Sequence, residues 1–200
     1  GVPVLALLPG SRLGEIRRLG PPFLAAAARV ADAIPGLQVL APMANPACRA
    51  AFAPLLPATP AIRLLDGEAH AAMVAADVVL LASGTAALEA MLAKRPMVVG
   101  YRVSALTAWI VRAFGLMRTD RYALPNVLAG EAVVPELVQE ACTPEALADA
   151  VLRWFREPAA VAALATRFER IHVELRADAD AQAAEAVASL LAPVAPGAPR

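Results

Sequence analysis

The chain has 200 residues with 18 Lys and Arg against 18 Asp and Glu, and this zero formal charge argues against a general nucleic-acid-binding protein, which normally carries a basic face. Hydrophobic residues make up 59% of the sequence and charged residues 18%, which excludes an intrinsically disordered chain. A chain of this length buries about 70% of the surface that it exposes when unfolded, so a sizeable core is expected.

Short apolar runs alternate with longer helical patterns from Val4 to Ala192, which is typical of parallel strands joined by helices. The runs predict five strands, each followed by residues that end it. They are Val4–Leu8, Leu37–Pro42, Ile62–Leu65, Asp77–Leu81 and Met97–Tyr101. The predicted fold class is therefore α/β, with a parallel sheet.

The helices between these strands are rich in Ala, the strongest helix former. The first is predicted to begin with Pro22 at its first position, after an interruption at Gly20–Pro21, and to end at Pro35–Gly36. Ala86–Lys94 is predicted as the helix after the fourth strand. Beyond the fifth strand we predict a helix at Ser104–Leu116, a loop at Tyr122–Gly130, helices at Pro144–Arg156 and Ala159–Leu191, and a frayed tail at Pro193–Arg200.

Bulky side chains in the second half of the chain are expected to serve packing. Trp109, Phe114 and Trp154 are predicted to be core or packing anchors rather than ligand platforms. The last predicted helix carries an apolar stripe from Phe168 to Leu175. We expect this stripe to dock on another surface, a second subunit included.

Ligands of an open parallel sheet bind beyond the carboxyl ends of its strands. Four of the five predicted strands are followed by polar or Gly-rich residues, which we expect to face one edge of the sheet. These turns are Pro9-Gly10-Ser11-Arg12, Asp66-Gly67, Ser83-Gly84-Thr85 and Tyr101-Arg102.

Two of these turns begin helices, where unpaired N–H groups and the helix dipole favour an anion. Ser83-Gly84-Thr85 is expected either to bind a phosphate or simply to cap its helix. Arg12 is suited to hold two phosphate oxygens at once, or else it forms an ion pair with Glu15. Two such helix starts at one edge favour a diphosphate more than either does alone.

Glu89 lies one turn after Thr85 on the same helical face and has no cation three or four residues further on. Its carboxylate is expected to accept hydrogen bonds from ribose hydroxyls beside a diphosphate, or else to be solvated in the N-terminal half of its helix. Asn126 lies among apolar residues in a predicted loop, where most asparagines close turns.

Other chemistries lack their motifs. No G-x-G-x-x-G follows a strand, neither a P-loop nor a G-x-S-x-G sequence is present, and no histidine has a recognisable triad context. Asp178 and Asp180 are predicted to lie on a solvated helix face, and no bound metal is expected. Cys48 and Cys142 lack ligand spacing and are expected to be reduced thiols. The apolar run at 69–82 is shorter than the ~20 residues that a membrane-spanning helix needs.

Several motifs together resemble those of bacterial lipid-A-disaccharide synthases, glycosyltransferases built from two Rossmann-like domains (the GT-B type). The most specific are PGSR and its following Glu at 9–15, LLASGTAALE at 80–89 and KRPMVVGYR at 94–102. With the similar segments at 39–52 and 124–130, the likeness runs over nearly the whole chain. It implies a Rossmann-like parallel sheet with helices on both faces, the nucleotide-sugar-binding C-terminal half of such an enzyme, followed by C-terminal helices.

The resemblance implies a UDP-sugar-binding domain at 1–157, C-terminal helices at 158–192 that pack on a partner domain or subunit, and a flexible tail at 193–200. An N-terminal acceptor domain that carries the general base is expected before Gly1. The first residue is Gly and not Met, which fits this expectation. The isolated chain is then expected to bind UDP but to transfer little or nothing.

The implied reaction transfers 2,3-diacylglucosamine from its UDP donor to an acyl-sugar-phosphate lipid acceptor, 2,3-diacylglucosamine 1-phosphate, with loss of UDP and inversion at the anomeric carbon. No cofactor is implied, so protein groups are expected to stabilise the charge on the departing diphosphate. The resemblance further implies a homodimer attached peripherally to the cytoplasmic face of the inner membrane of a Gram-negative bacterium.

The family's donor site is carried over residue by residue. Two turns are expected at the diphosphate: Gly10, Ser11 and Arg12 face it, and Ser83, Gly84 and Thr85 contact it. Glu89 is expected to hold the ribose, and the backbone of Leu65, Asp66 and Gly67 to lie near the uracil. Asn126 is expected to lie at the donor side. Glu131-Ala132 departs from the Arg-Glu that the family commonly has there. Two alternatives stay open: another UDP-sugar GT-B transferase or epimerase, and a non-catalytic dimerisation module of Ala-rich helices.

Overall fold

The computed structural model describes residues 1–103, 121–176 and 179–191. Three predictions lie outside these residues: the helix at Ser104–Leu116 with Trp109 and Phe114, the solvated position of Asp178, and the tail at Pro193–Arg200.

Six parallel strands form one sheet in the order β3-β2-β1-β4-β5-β6. Their bounds are β1 Val4–Leu8, β2 Gln38–Met43, β3 Ile62–Asp66, β4 Val78–Ala82, β5 Met97–Tyr101 and β6 Glu136–Val138. The five predicted strands are confirmed, with ends that differ by at most one residue. The short strand β6 was not predicted, because three half-buried residues give no periodic signal.

The two central strands are continuous apolar runs because helices cover both faces of the sheet. Every residue of β4 is buried, and so are Leu5 to Leu8 of β1. The two strands pair from Leu5 with Val78 to Leu8 with Leu81. The strand order reverses between them, and their carboxyl ends therefore flank the crevice where ligands of such sheets bind.

The described helices lie on both sides of the sheet. Their bounds are α1 Leu13–Ala33, α2 Pro46–Phe52, α3 Ala69–Ala75, α4 Thr85–Leu92, α5 Leu124–Ala129, α6 Pro144–Arg156, α7 Pro158–Leu175 and α8 Ala179–Leu191. Helices α1 and α6 pack against each other, while α3 and α4 contact the central strands from their own side. No helix in the described ranges is long and apolar enough to cross a membrane.

The predicted start of the first helix at Pro22 is wrong. Helix α1 begins at Leu13 and continues through Pro21 and Pro22, although a proline inside a helix costs about 3 kcal/mol. Burial outweighs this cost, because each large apolar side chain removed from water contributes about 1.5–3 kcal/mol. The large buried side chains of α1 are Ile16, Leu19, Phe23, Leu24 and Val30.

The predicted loop at Tyr122–Gly130 contains helix α5, which was missed because it has only six residues. The predicted single helix at Ala159–Leu191 is interrupted after Leu175 and consists of α7 and α8. Trp154 is a core residue as predicted, since it is buried and its Nε1 donates to the carbonyl oxygen of Met97 at 3.1 Å.

Most of the apolar stripe on α7 is covered by this chain itself. Leu164, Phe168 and Ile171 are buried where α7 contacts α4, α5 and α6, whereas Leu175 is exposed. The side chains at 181–189 of α8 are also exposed. The expectation of an external docking surface therefore applies to the end of α7 and to α8, and there it stays a prediction.

Candidate functional site

A cavity of about 400 Å³ lies at the carboxyl ends of β1, β2 and β4, where the strand order reverses. Eight of the predicted site residues line it: Gly10, Ser11, Arg12, Gly67, Ser83, Gly84, Thr85 and Glu89. The prediction that separate turns meet at one edge of the sheet is thus consistent with the geometry. We call this space the donor cavity, after the role that the resemblance implies for its lining residues.

Three predicted site residues do not line the donor cavity. Leu65 and Asp66 end β3, and the Asp66 carboxylate pairs with Arg49 at 2.9 Å. Asn126 is buried inside the protein and holds the chain after α5 in place. Its Nδ2 donates to the carbonyl oxygen of Val134 and to a Glu136 carboxylate oxygen, and its Oδ1 accepts from the N–H groups of Val133 and Val134.

The N-terminus of α4 is the open anion-favouring end of the donor cavity. Helix α4 begins at Thr85 with Gly84 as its N-cap residue, and no side-chain cap is observed within the described ranges. A Cβ at Gly84 would meet no atom within 4 Å, which leaves space above the helix start. Unpaired N–H groups and the helix dipole favour a phosphate there.

The N-terminus of α1 already holds an anion from the chain itself. Glu15 Oε2 accepts hydrogen bonds from the N–H groups of Ser11 at 2.8 Å and Arg12 at 3.2 Å. Glu15 Oε1 lies 3.3 Å from Arg12 Nη1, so the predicted ion-pair alternative is observed. Because the Arg12 side chain is 82% exposed, this pair contributes little stability and leaves the guanidinium free to turn to another anion.

Gly10 makes this arrangement possible. Its φ is +124°, a conformation that L side chains rarely adopt, and a Cβ there would lie 2.5 Å from the Cβ of Glu15. The turn after β1 therefore requires glycine for two independent reasons.

Glu89 faces the donor cavity from α4. Its side chain is exposed, and within the described ranges it forms no hydrogen bond or ion pair. A free carboxylate one turn beyond an open helix N-terminus is suited to accept hydrogen bonds from a ligand's hydroxyl groups.

Sequence reasoning missed the part of the wall that is made by Pro42, Met43 and Ala44 after β2. These residues are apolar or small, and polarity was the signal by which the other turns were found. They lie beside β1 because β2 pairs with β1 in the sheet, and this strand order could not be predicted from the sequence.

The fourth predicted turn, Tyr101-Arg102, lines a neighbouring cleft instead of the donor cavity. Behind it lies Cys142, which is free and buried, as is Cys48. Burial raises the pKa of the Cys142 thiol, and the nearby Arg102 guanidinium opposes this effect.

Glu131, where the sequence departs from the family pattern, has a local partner. It pairs with Arg167 of α7 at 3.0 Å, and Arg167 also donates to the carbonyl oxygen of Ala129 at 3.1 Å. The residue after Gly130 thus ties the end of α5 to α7.

Solved structures with a similar fold include a transferase and a putative epimerase. The calicheamicin glycosyltransferase CalG4 is 23% identical, with a TM-score of 0.56, over 98% of this chain and 43% of that chain. A putative UDP-N-acetylglucosamine 2-epimerase from Listeria monocytogenes is 18% identical, with a TM-score of 0.56, over 82% of this chain and 40% of that chain. These likenesses support the GT-B type of fold and leave the reaction open.

Much closer similarity is found to proteins described as lipid-A-disaccharide synthase. The protein from Xanthomonas campestris pv. campestris (strain 8004) is 58% identical over 192 residues, which cover 94% of this chain and 44% of that protein. The protein from Xylella fastidiosa (strain M12) is 52% identical over 193 residues, which cover 94% of this chain and 50% of that protein. The chain thus spans about half the length of the curated relatives it matches, and these relatives indicate a Gram-negative bacterial source.

The family described as lipid-A-disaccharide synthetase matches residues 2–187. The chain therefore belongs to the lipid-A-disaccharide synthase family.

Proposed function

We propose that this chain is the donor-binding half of a lipid-A-disaccharide synthase and that it binds a UDP-sugar lipid in the donor cavity. The observation that carries the proposal is the convergence on one cavity of three groups: the α4 N-terminus, the exposed Arg12 guanidinium, and the Glu89 carboxylate, which has no partner in the part of the chain that the structure describes. The helix N-terminus and Arg12 suit the diphosphate of a nucleoside diphosphate sugar, and Glu89 suits its ribose.

The diphosphate lies against Thr85 and Ala86 at the start of α4, with Arg12 turning from Glu15 to hold its oxygens. Glu89, one helical turn further on, accepts hydrogen bonds from the ribose hydroxyls. The backbone at Gly67 forms the side of the cavity toward the uracil.

The proposed reaction passes a 2,3-diacylglucosamine unit from UDP to the hydroxyl of 2,3-diacylglucosamine 1-phosphate. Negative charge grows on the departing UDP, and Arg12 together with the α4 N-terminus stabilises that charge more strongly in the transition state than in the ground state. The general base is proposed to lie in the part of the relatives' length that this chain does not span.

Calorimetric titration of the chain with UDP tests the proposal. We expect the wild-type chain to bind UDP, and Arg12→Ala and Glu89→Gln each to reduce the binding free energy by about 1–3 kcal/mol. Arg170→Ala and Glu174→Gln are matched controls, because these exposed residues of α7 make the same charge changes outside the cavity. They are expected to leave UDP affinity unchanged.

Absence of UDP binding at millimolar concentration would contradict the proposal and favour a non-catalytic helical module. A chain that binds UDP but has no higher affinity for the UDP-diacylglucosamine donor than for other UDP-sugars would instead point to a different UDP-sugar transferase or to an epimerase. An epimerase would also need its own acid and base residues in this half.

We further propose that the whole protein is a homodimer that attaches peripherally to the inner membrane. Support for self-association comes from α8, whose side chains at 181–189 are exposed, including Val187 at 56%. Sedimentation of the chain tests self-association, and a monomer at all concentrations would contradict it. Flotation of the whole protein with anionic vesicles tests the membrane contact.

A further inference from the structure

A second cleft, of about 580 Å³, adjoins the donor cavity. The two spaces share Arg12, Glu15 and Ser83, so a group in one lies directly beside a group in the other. Arg18 and Arg102 face only the second cleft. We call it the arginine cleft.

Arg18 and Arg102 carry charges that no carboxylate of the described ranges balances. Arg18 Nε donates to the carbonyl oxygen of Arg102 at 3.1 Å, and Arg102 Nη2 donates to the carbonyl oxygen of Cys142 at 2.6 Å. Backbone carbonyls therefore hold both guanidinium groups in place while their remaining N–H donors stay available. Gly14 leaves room for this, since a Cβ there would lie 2.9 Å from Arg18 Nη2.

The charge balance of the arginine cleft favours an anion. Three guanidinium groups face it against one carboxylate, that of Glu15, which is already paired with Arg12 and with two backbone N–H groups. Fixed guanidinium groups with free donors suit the oxygens of a phosphate monoester, which they bind through more than one hydrogen bond at once.

Part of the lining of the arginine cleft is aromatic. Tyr101 and Tyr122 stack with ring centroids 6.1 Å apart and an interplanar angle of 14°. Such a wall offers a flat apolar surface beside polar hydroxyl groups, which suits a sugar ring. Guanidinium N–H groups that can donate to a phosphate, together with an aromatic surface in the same cleft, point to a phosphorylated sugar as the ligand.

We infer that the arginine cleft binds the phosphate monoester of the acceptor sugar, with Arg18 and Arg102 as its specificity-determining residues. This inference rests on the proposed function, which places the donor's diphosphate in the neighbouring cavity. The shared residues Arg12 and Ser83 then lie between the two bound substrates.

Titrating the chain with glucosamine 1-phosphate, with and without saturating UDP, tests the inference. We expect Arg18→Gln to weaken glucosamine 1-phosphate at least fivefold and to change the dissociation constant of UDP by less than twofold. Glucosamine without the phosphate is expected to bind at least tenfold more weakly than glucosamine 1-phosphate. Arg17→Gln is the matched control, because Arg17 is an exposed neighbour on α1 that does not line the cleft.

Arg18 is exposed, so its substitution leaves the fold intact, and Arg102→Lys provides a second variant that keeps the charge but not the bidentate geometry. Equal effects of Arg17→Gln and Arg18→Gln on glucosamine 1-phosphate would overturn the inference while UDP binding still supports the proposed function. A parallel loss of UDP affinity in the Arg18 and Arg102 variants would assign the cleft to the donor diphosphate and overturn it too. Failure of the wild-type chain to bind UDP would instead contradict the proposed function itself.

Discussion

Gly10 determines how the chain leaves β1 and enters the donor cavity, because its positive φ and the adjacent Glu15 side chain both exclude a Cβ. We predict that Gly10→Ala lowers the free energy of unfolding by about 2–4 kcal/mol, since it adds backbone strain and displaces the carboxylate from the start of α1. UDP affinity is expected to fall at least fivefold. Urea unfolding and calorimetric titration measure the two effects.

Gly36→Ala is the control for this change. Gly36 has a φ of +78° but no atom within 4 Å of a Cβ. Its substitution is expected to cost only the backbone strain of about 1–2 kcal/mol and to leave UDP affinity unchanged. If the two variants lose equal stability and bind UDP equally well, the contact with Glu15 has no role.

Asn126→Ala tests whether this residue acts through the fold or through the ligand. The change leaves the N–H groups of Val133 and Val134 without their acceptor in a buried place, so we predict a loss of about 2–4 kcal/mol in the free energy of unfolding. UDP affinity of the folded variant is expected to stay within twofold of the wild-type value. A large loss of UDP binding without loss of stability would instead support its predicted place at the donor side.

Individual site residues could be predicted where polarity and position agree. Arg12 and Thr85 were predicted as site residues because polar turns directly follow buried strands, and Glu89 because it lies one helical turn after Thr85 on the same face. The hydrogen bonds of Asn126 could not be predicted, because they depend on β6 and on the turn before it. The sequence does not show that folding brings these backbone groups and Glu136 within hydrogen-bonding distance of Asn126.

The two prolines within α1 are the clearest conflict between local preference and overall packing. Pro21 is exposed and has no N–H to donate to the carbonyl four residues earlier. We predict that Pro21→Ala raises the free energy of unfolding by about 1–2 kcal/mol, the helix gain exceeding the added freedom of the unfolded chain. Urea unfolding measures the change.

Pro144→Ala is the matched control, because Pro144 is the first residue of α6, where no N–H donor is required. Its substitution is expected to change stability by less than about 0.5 kcal/mol. A Pro21→Ala variant that is no more stable than the wild type would show that this position costs the helix nothing.

Elements with a strong periodic signal were predictable, and short or overridden ones were not. The strands from β1 to β5 are apolar runs between turn residues, so their bounds agree with the prediction. The start of α1 was missed because local proline rules predict a helix boundary that burial of Ile16 and Leu19 overrides. Helix α5 and strand β6 are too short for any pattern to emerge.

In the described part of the chain, the packed elements up to α7 are followed by the exposed helix α8. We predict that a chain ending at Arg176 keeps its free energy of unfolding within about 0.5 kcal/mol, since the side chains at 181–189 are exposed. A chain ending at Glu157 is expected to lose about 5 kcal/mol, because Leu164, Phe168 and Ile171 leave the core with α7. Urea unfolding of both truncations measures the difference.

The same pair of truncations bears on assembly. If α8 mediates self-association, the chain ending at Arg176 is monomeric by sedimentation at concentrations where the 200-residue chain associates. A loss of more than about 2 kcal/mol on removal of 177–200 would contradict the division, because it would mean that this segment stabilises the protomer.

At the scale of the whole molecule, the alternation of strands and helices predicted the fold class, and the motifs predicted the family. Sequence patterns do not reveal the order of the strands in the sheet, yet this order decides which turns meet. The turns after β4 and β5 are neighbours in this order: Gly84 and Thr85 line the donor cavity, Tyr101 and Arg102 line the adjoining arginine cleft, and Ser83 lines both.

The carboxylate of Glu15 at the start of α1 has a consequence for competition among ions. Because it is tethered four residues from Ser11, it competes for those N–H groups intramolecularly, whereas chloride or inorganic phosphate must be drawn from solution. We therefore expect small anions to bind weakly at this end of the crevice. Of the two helix starts at the donor cavity in the described part of the chain, that of α4 lacks such a carboxylate, and we therefore expect a bound nucleotide to place its diphosphate there.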